Sequence, residues 1–257
     1  MSVITFSPVR QSPPVLNLFL DRLARQGYES WFYDDNDEAA STALLEGFTV
    51  LEPIDLPSAG DYKRAVSTHI WPGGAVDRVA AIKNYAIDLF LRADASHLFL
   101  VDSDVILLPG TIDHLLEVDV PVISSVYWSR WQANQPWMPN VWDGGHYEFW
   151  SKESMTRLAE PGHYEVGGLG ACTLIERSVL ENVRFDPVPN FPMRGEDRWF
   201  CMRAGVHGIP LLADGCLTPF HVYRDDQLAE ARRWTLVEAE RWKADKLDAK
   251  WRGSFGP

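Results

Sequence analysis

The sequence predicts a single α/β domain, a mostly parallel central sheet flanked by helices, with a C-terminal helix added to it. Three observations predict it. Short β-rich runs alternate with amphipathic helical runs in the order β-α-β-α-β, which implies a parallel sheet with right-handed crossovers. The stretch His97-Leu98-Phe99-Leu100-Val101 is continuously apolar after its first residue, as in a strand buried on both faces. The 257 residues suit one large domain or a core domain with an extension.

Taken in order, Val3-Ile4-Thr5-Phe6 is a short strand and Ser7-Pro8-Val9-Arg10 a loop at its carboxyl end. Pro13 to Gln26 is a helix, with Leu16, Phe19, Leu20 and Leu23 on one face and Gly27 as its stop. Glu29 to Tyr33 is a second strand, ending in the acidic run Asp34-Asp35-Asn36-Asp37-Glu38. A short helix, a strand near Phe48–Leu51 and a Pro- and Gly-containing loop over 52–74 follow. Ala75 to Arg92 is the clearest helix, with Ala75, Val79, Ile82, Ala86 and Leu89 at helical spacing. After the central strand come a helix over Thr111–Leu116, a strand over Val120–Val126, strands near Ala171–Ile175 and Ile209–Ala213, and a helix from Arg194 to Ala204 capped by Gly205. From Asp225 the chain is charged and helical, with Val237, Ala244, Leu247 and Trp251 on one face and Trp234 at its edge. That face would dock on the domain or on a second copy, as a homo-oligomer.

Composition narrows the function. The net charge of −12 argues against a broad basic footprint for nucleic acid, which needs Lys and Arg against phosphates. No apolar run is long enough to cross a bilayer. Cys172, Cys201 and Cys216 form neither an even framework nor a CxxC pair, and read as reduced residues of a cytoplasmic protein.

Asp102-Ser103-Asp104 follows the central strand, where ligands of α/β sheets collect. Two carboxylates there suit a hard divalent cation, although the same residues can form a turn or cap a helix. Residues 127–150 crowd Tyr127, Trp128, Trp131, Trp137, Trp142, Tyr147, Phe149 and Trp150 among prolines and glycines. They form either a second small core or a hairpin packed on the sheet, or a wall on which an acceptor ring stacks.

The succession of motifs resembles a family. It comprises a Pro-containing first loop, Asp34-Asp35 after the second strand, Arg78-x(4)-Lys83-Asn84 on a helix, Asp102-x-Asp104, Gly167-Gly168-Leu169-Gly170, Gly195-Glu196-Asp197 and a late His221. Over about residues 3–222 it resembles the nucleotide-diphospho-sugar glycosyltransferases of the A-type (GT-A, Rossmann-like) fold. Within them it is similar to the family-2 group, mannosylglycerate synthase and the fungal mannan polymerase subunits.

The resemblance implies a glycosyltransferase domain over 1–222, with a nucleotide-binding half (1–104), an acceptor-binding half (105–222) and a helical extension (223–257). It implies Asp104 as direct metal ligand, Asp102 as its partner through water or on the ribose, and His221 as a further ligand. Imidazole favours Mn²⁺ over Mg²⁺. A merely packed histidine is the plain alternative for His221, and an exposed helix face for Arg78 and Lys83. Thr5, Ser7, Pro8, Arg10, Asp34, Asp35, Arg78, Lys83, Ser103, Gly168, Leu169 and Gly170 would then line the donor pocket. Asp197 would be the general base with Glu196 beside it, and Trp128, Trp131 and Trp137 would meet the acceptor.

The partners implied are a nucleotide-diphosphate sugar and an acceptor hydroxyl on a glycan, metabolite, protein or modified DNA base. Inversion is favoured over retention because Gly195-Glu196-Asp197 is intact. Two other functions share the fold class: a catalytically silent sugar- or nucleotide-binding module, and a sugar-1-phosphate nucleotidyltransferase. The latter expects a glycine-rich basic signature after the first strand, which Ser7-Pro8-Val9-Arg10-Gln11 does not supply.

Overall fold

The computed structural model describes residues 1–60, 63–64, 69–70, 73–130, 136–143, 151–190 and 195–254. The chain opens with β1 (Val3–Val9), α1 (Pro13–Ala24), β2 (Glu29–Asp34), α2 (Ala39–Ala43), β3 (Thr49–Val50) and a small hairpin, β4 (Lys63–Arg64) with β5 (His69–Ile70). Then come α3 (Gly73–Phe90), β6 (His97–Leu100), β7 (Val105–Ile106), α4 (Thr111–Glu117), β8 (Val122–Ser125), β9 (Trp128–Ser129) and β10 (Met138–Pro139). The chain closes with α5 (Lys152–Ala159), β11 (His163–Glu165), β12 (Thr173–Glu176), α6 (Arg177–Leu180), α7 (Glu196–Val206), β13 (Leu212–Asp214), β14 (Phe220–His221), α8 (Leu228–Ala231) and α9 (Leu236–Ser254).

The large sheet runs β11-β13-β8-β12-β6-β1-β2-β3. It is parallel from β6 through β3 and between β8 and β13, but β12 is antiparallel to both its neighbours and β11 is antiparallel to β13. The sheet is therefore mostly parallel as expected, in four of its seven strand pairs, with β12 running against both its neighbours. Between β8 and β12 the chain passes through β9, β10, α5 and the edge strand β11, and it comes back to β12 beside the carboxyl end of β8. Ser125 N donates to Cys172 O there at 3.1 Å. A strand that starts beside the carboxyl end of its neighbour runs antiparallel to it, whereas a helix crossover would deliver it parallel.

The core lies on both faces of β1, β6 and β12, with Phe6, Phe99, Leu98 and Ile175 fully buried. Two expectations change near the site. Ser7, Pro8 and Val9 continue β1, pairing with β2 up to Val9↔Asp34. Proline is tolerated because β6 pairs with β1 only as far as Phe6, so the missing N–H of Pro8 faces no partner strand. The α7 helix runs through Gly205 to Val206, and the left-handed residue that ends it is Gly208, φ +69°.

A second sheet, β10-β9-β14-β7, sits beyond the end of β6. It contains the expected hairpin of the aromatic segment, β9 with β10. At the C-terminus the buried face of α9 carries Ala239, Trp242 and Leu247, with Trp234 buried just before it. Val237 and Ala244 of the expected stripe are exposed. Trp251 lies outside the described side chains. Edge contacts from Trp242 to Trp137 and Trp234 dock this helix on its own domain. Among the described residues no helix is long and apolar enough to cross a membrane.

Candidate active site

The site is organised by the turn between β6 and β7, closed by Val105 N donating to Asp102 O at 3.0 Å. Because β7 belongs to the second sheet, this turn is where the two sheets meet. β14 pairs antiparallel with β7 in the register His221↔Val105, and Val222 N donates to Asp104 O at 2.9 Å. That register brings together residues more than a hundred positions apart: His221 Nε2 lies 3.4 Å from Asp104 Oδ1. Ser129 on β9 holds the other ring nitrogen, with its Oγ 2.7 Å from Nδ1. A histidine whose far nitrogen is fixed in this way presents the near one in a set direction.

Two cavities meet at Asp102 and Asp104. The first, about 310 Å³, is lined by Pro8, Arg10, Asp35, Arg78, Ser103 and Glu196 among others. Among the described residues its lining comes from 1–104 except for Glu196. In it Arg78 Nε donates to Asp35 Oδ1 at 2.9 Å, and Arg10 approaches Asp35 Oδ2 at 3.5 Å while forking onto Asp37. The second, about 250 Å³, is lined by Tyr127, Ser129, Trp142, Asp197, His221 and Tyr223 among others, all from residue 102 onward.

Glu196 and Asp197 are adjacent in the first turn of α7, where the helix dipole favours anions. Gly195 immediately before them has φ +148°, a conformation that glycine accepts and other residues resist. The turn sends Glu196 toward the first cavity and Asp197 toward the second.

Behind both stands Lys83, 2% exposed, with Nζ 2.8 Å from Asp197 Oδ1 and 3.0 Å from Glu196 Oε1. Its ammonium also lies 5.1 Å from the centre of the Phe185 ring. Burial alone would disfavour the ammonium, but Asp197, Glu196 and Asp102 outweigh it and hold Lys83 protonated. Burial pushes Asp102 up to about 7, opposed by Lys83 and reinforced by Asp104, Asp197 and Glu196. Burial likewise pushes Asp197 up to about 6, with Lys83 lowering it and Glu196 raising it. Burial keeps the Tyr127 hydroxyl protonated, and the negative field of Asp102, Asp104 and Asp197 adds to this.

Several expected residues are elsewhere. Thr5 is buried in the sheet, donating to Ser30 Oγ at 2.8 Å, and Ser7 is buried with its hydroxyl on the Pro8 carbonyl. Asp34 accepts from Asn36 Nδ2 at 2.7 Å and shapes its own loop. Lys83 is a core cation under the carboxylates, rather than a group of the first cavity's wall. Gly168 and Leu169 also have local work. A Cβ on Gly168 would fall 1.9 Å from Trp142, to which the glycine is bridged, and Leu169 is buried. Gly170 lines the second cavity.

Trp128 and Trp137 are buried, Trp137 4.8 Å from the Trp242 ring centre, so among the described residues the aromatic wall of the second cavity is Tyr127, Trp142 and Tyr223. Trp131 lies outside the described residues. Ser129 carried no motif to reveal it, whereas Tyr127 and Trp142 belong to the aromatic segment that the sequence marks.

No protein-family model matches the chain, and no curated protein matches it. Solved structures do. The protein A197 from STIV is 19% identical, with 86% of this chain and 85% of that chain covered and a TM-score of 0.49. The mannosyltransferase PcManGT from Pyrobaculum calidifontis, in complex with GDP-Man and Mn2+, is 13% identical over 99% of this chain and 76% of that one, TM-score 0.48. The inositol-1-phosphate CTP transferase from T. maritima is 8% identical over 90% and 97%, TM-score 0.47. The chemistry of the cleft therefore rests on its own residues.

Proposed function

We propose that this chain is a metal-dependent glycosyltransferase that moves a sugar from a nucleotide-diphosphate donor to an acceptor hydroxyl, with inversion. One observation carries the reading. The Asp102–Asp104 turn is shared by two cavities, one flanked by Arg10, Arg78 and Asp35, the other holding Asp197 and aromatic rings. A group-transfer enzyme needs that division, with leaving-group stabilisation on one side and a proton acceptor on the other.

The donor set fits a divalent cation. A carboxylate and an imidazole face each other at 3.4 Å, and the imidazole is oriented from behind by Ser129. Oxygen and nitrogen together suit Mn²⁺ better than Mg²⁺. In this reading Asp104 and His221 hold the ion directly, and Asp102 acts through water or on the ribose. A cation held there by Asp104 and His221 would supply Lewis-acid stabilisation to the leaving group.

The chain's own residues supply the rest. Arg10 and Arg78 offer guanidinium forks to the diphosphate or base, and Asp35, already between them, is placed to accept from the nucleoside. Glu196 meets the donor sugar. Asp197 takes the acceptor proton, and a carboxylate raised to about 6 is a stronger base than an ordinary one while still ionised near neutrality. Lys83 is a positioning residue that holds both carboxylates and keeps Asp197 charged. Tyr127, Trp142 and Tyr223 give the acceptor flat faces to stack on. The three cysteines are free, which suits a reducing, cytoplasmic setting.

The test is a thermal-shift screen of nucleotide-diphosphate sugars with and without Mn²⁺. A ligand that binds only the folded state at a hundred times its Kd stabilises by about 2.7 kcal/mol. The reading expects a Tm rise for at least one nucleotide-sugar that requires both ligand and Mn²⁺. Stabilisation by nucleoside triphosphates and sugar phosphates alone would favour a nucleotidyltransferase instead.

A further inference from the structure

At the opposite wing of the large sheet, four side chains from distant parts of the sequence converge. Their ligand atoms, from His114, His163, Asp214 and Cys216, all lie within 4.8 Å of one another. His114 Nε2 is 3.0 Å and His163 Nε2 3.4 Å from the same oxygen, Asp214 Oδ1. Asp214 is fully buried. We propose that these four residues form a closed, structural zinc site, separate from the cleft and independent of its reading.

The topology explains the convergence. β11 pairs antiparallel with β13 in the register His163↔Asp214, which sets the imidazole beside the carboxylate at the sheet edge. The α4 helix packs on β8, next to β13, and contributes His114. The turn after β13 brings back Cys216, and its backbone N donates to Asp214 Oδ1 at 3.2 Å while Leu217 N donates to Oδ2 at 3.3 Å.

Hydrogen bonding alone accounts poorly for this arrangement. One carboxylate oxygen with two lone pairs is approached by two imidazole nitrogens and a backbone amide, with a thiol alongside. A cation relieves that crowding, because each ligand then donates an electron pair to a common centre. With Zn–N and Zn–O bonds of about 2.0–2.1 Å, tetrahedral geometry puts ligand atoms ~3.3 Å apart. The observed 3.0 and 3.4 Å bracket that spacing. Two imidazoles, a carboxylate and a thiolate are borderline-soft donors that suit Zn²⁺, and four protein ligands leave no open position for chemistry.

Such a site would tie the three-residue edge strand β11 and helix α4 to β13. Asp214 O also accepts from Val126 N at 2.8 Å, immediately before the segment that carries Tyr127 and Ser129 into the cleft. Binding would displace the thiol proton as Zn²⁺ takes the sulfur lone pair, with no change of oxidation state.

The test uses the full chain, stripped with a chelator and titrated with Co²⁺ or Zn²⁺ alone. The proposal expects one equivalent of Co²⁺ to give the intense visible absorption of a tetrahedral site with a thiolate-to-cobalt charge-transfer band, and Zn²⁺ to raise Tm. Asp104→Ala should keep both signals. Cys216→Ser should lose the charge-transfer band, and His163→Ala should lose most of the Zn²⁺-dependent Tm rise. Wild-type protein without the thiolate band overturns the proposal even if a variant fails to fold. Signals that survive in both Cys216→Ser and His163→Ala, or that disappear in Asp104→Ala alone, overturn it too.

Discussion

Lys83 Nζ lies 2.8 Å from Asp197 Oδ1, joining the middle of α3 to the first turn of α7 beneath the cleft. One buried cation thus serves two carboxylates that face different cavities. Lys83→Met should therefore destabilise strongly, because it leaves buried carboxylates without their counter-ion. The expected loss is about 3–5 kcal/mol, read from the midpoint of urea unfolding at neutral pH. A loss below about 1 kcal/mol would mean that the cluster is solvated and Lys83 is not its anchor.

The raised pKa of Asp197 sets a pH limb on catalysis. A base must be ionised, so kcat/KM should rise with pH through about 6 and level off above it. Donor hydrolysis, followed as nucleoside diphosphate release, is a suitable assay before the acceptor is identified. Asp197→Asn should keep donor binding and lose turnover by at least about 100-fold, the lower range for general-base removal. Near-normal turnover in that variant would take Asp197 out of the mechanism.

The same shifts have a stability counterpart. Asp102 binds its proton more tightly folded (about 7) than unfolded (about 4). Its contribution is therefore full below the unfolded value and lost as pH rises through the folded one. Asp102→Asn should be close to neutral near pH 4 and progressively stabilising by about pH 8. A stability difference flat across that range would show that Asp102 is not perturbed.

Trp142 and Trp137 should separate by phenotype. Trp142 lines the second cavity, so Trp142→Ala should raise the acceptor KM with little change in donor affinity. Trp137 is packed against Trp242, so Trp137→Ala should cost about 3–5 kcal/mol of stability. Steady-state kinetics and denaturant unfolding on both variants decide the matter; an acceptor KM raised only in Trp137→Ala would reverse the assignment.

Gly168→Ala places a methyl 1.9 Å from the Trp142 ring. The ring or the bridged backbone must move, at a cost of about 1–3 kcal/mol by analogy with overpacked cores. Acceptor affinity should fall with it, since the same ring forms the cavity wall. Unchanged stability and kinetics would show that the Gly168 backbone is not held against Trp142.

Much of this architecture is legible in the residues, and the failures have physical causes. The α1 stripe of Leu16, Phe19, Leu20 and Leu23 is buried as its spacing predicts, and Asp102 and Asp104 stand at the end of the apolar strand. Lys83 shows the limit. It shares the helical face of Ile82, Ala86 and Ile87, a charge in the middle of a core stripe, which is itself the signal for a buried ion pair. Reading it as a lining residue of the donor pocket set that spacing aside. The α9 stripe failed because Trp234 and Trp242 fix which face docks, and large rings outweigh the smaller Val237 and Ala244. The meeting of His114, His163 and Asp214 depends on strand register across a hundred residues, which local pattern does not encode.

In the proposed enzyme Asp104, with His221, holds the cation that binds the donor. Calorimetric titration of the nucleotide-sugar found by thermal shift, with Mn²⁺ present, tests it most directly in wild type, Asp104→Ala and Asp197→Asn. Mn²⁺-dependent binding is expected in wild type, lost in Asp104→Ala and retained in Asp197→Asn. Equal affinity in all three proteins, with or without Mn²⁺, would contradict it.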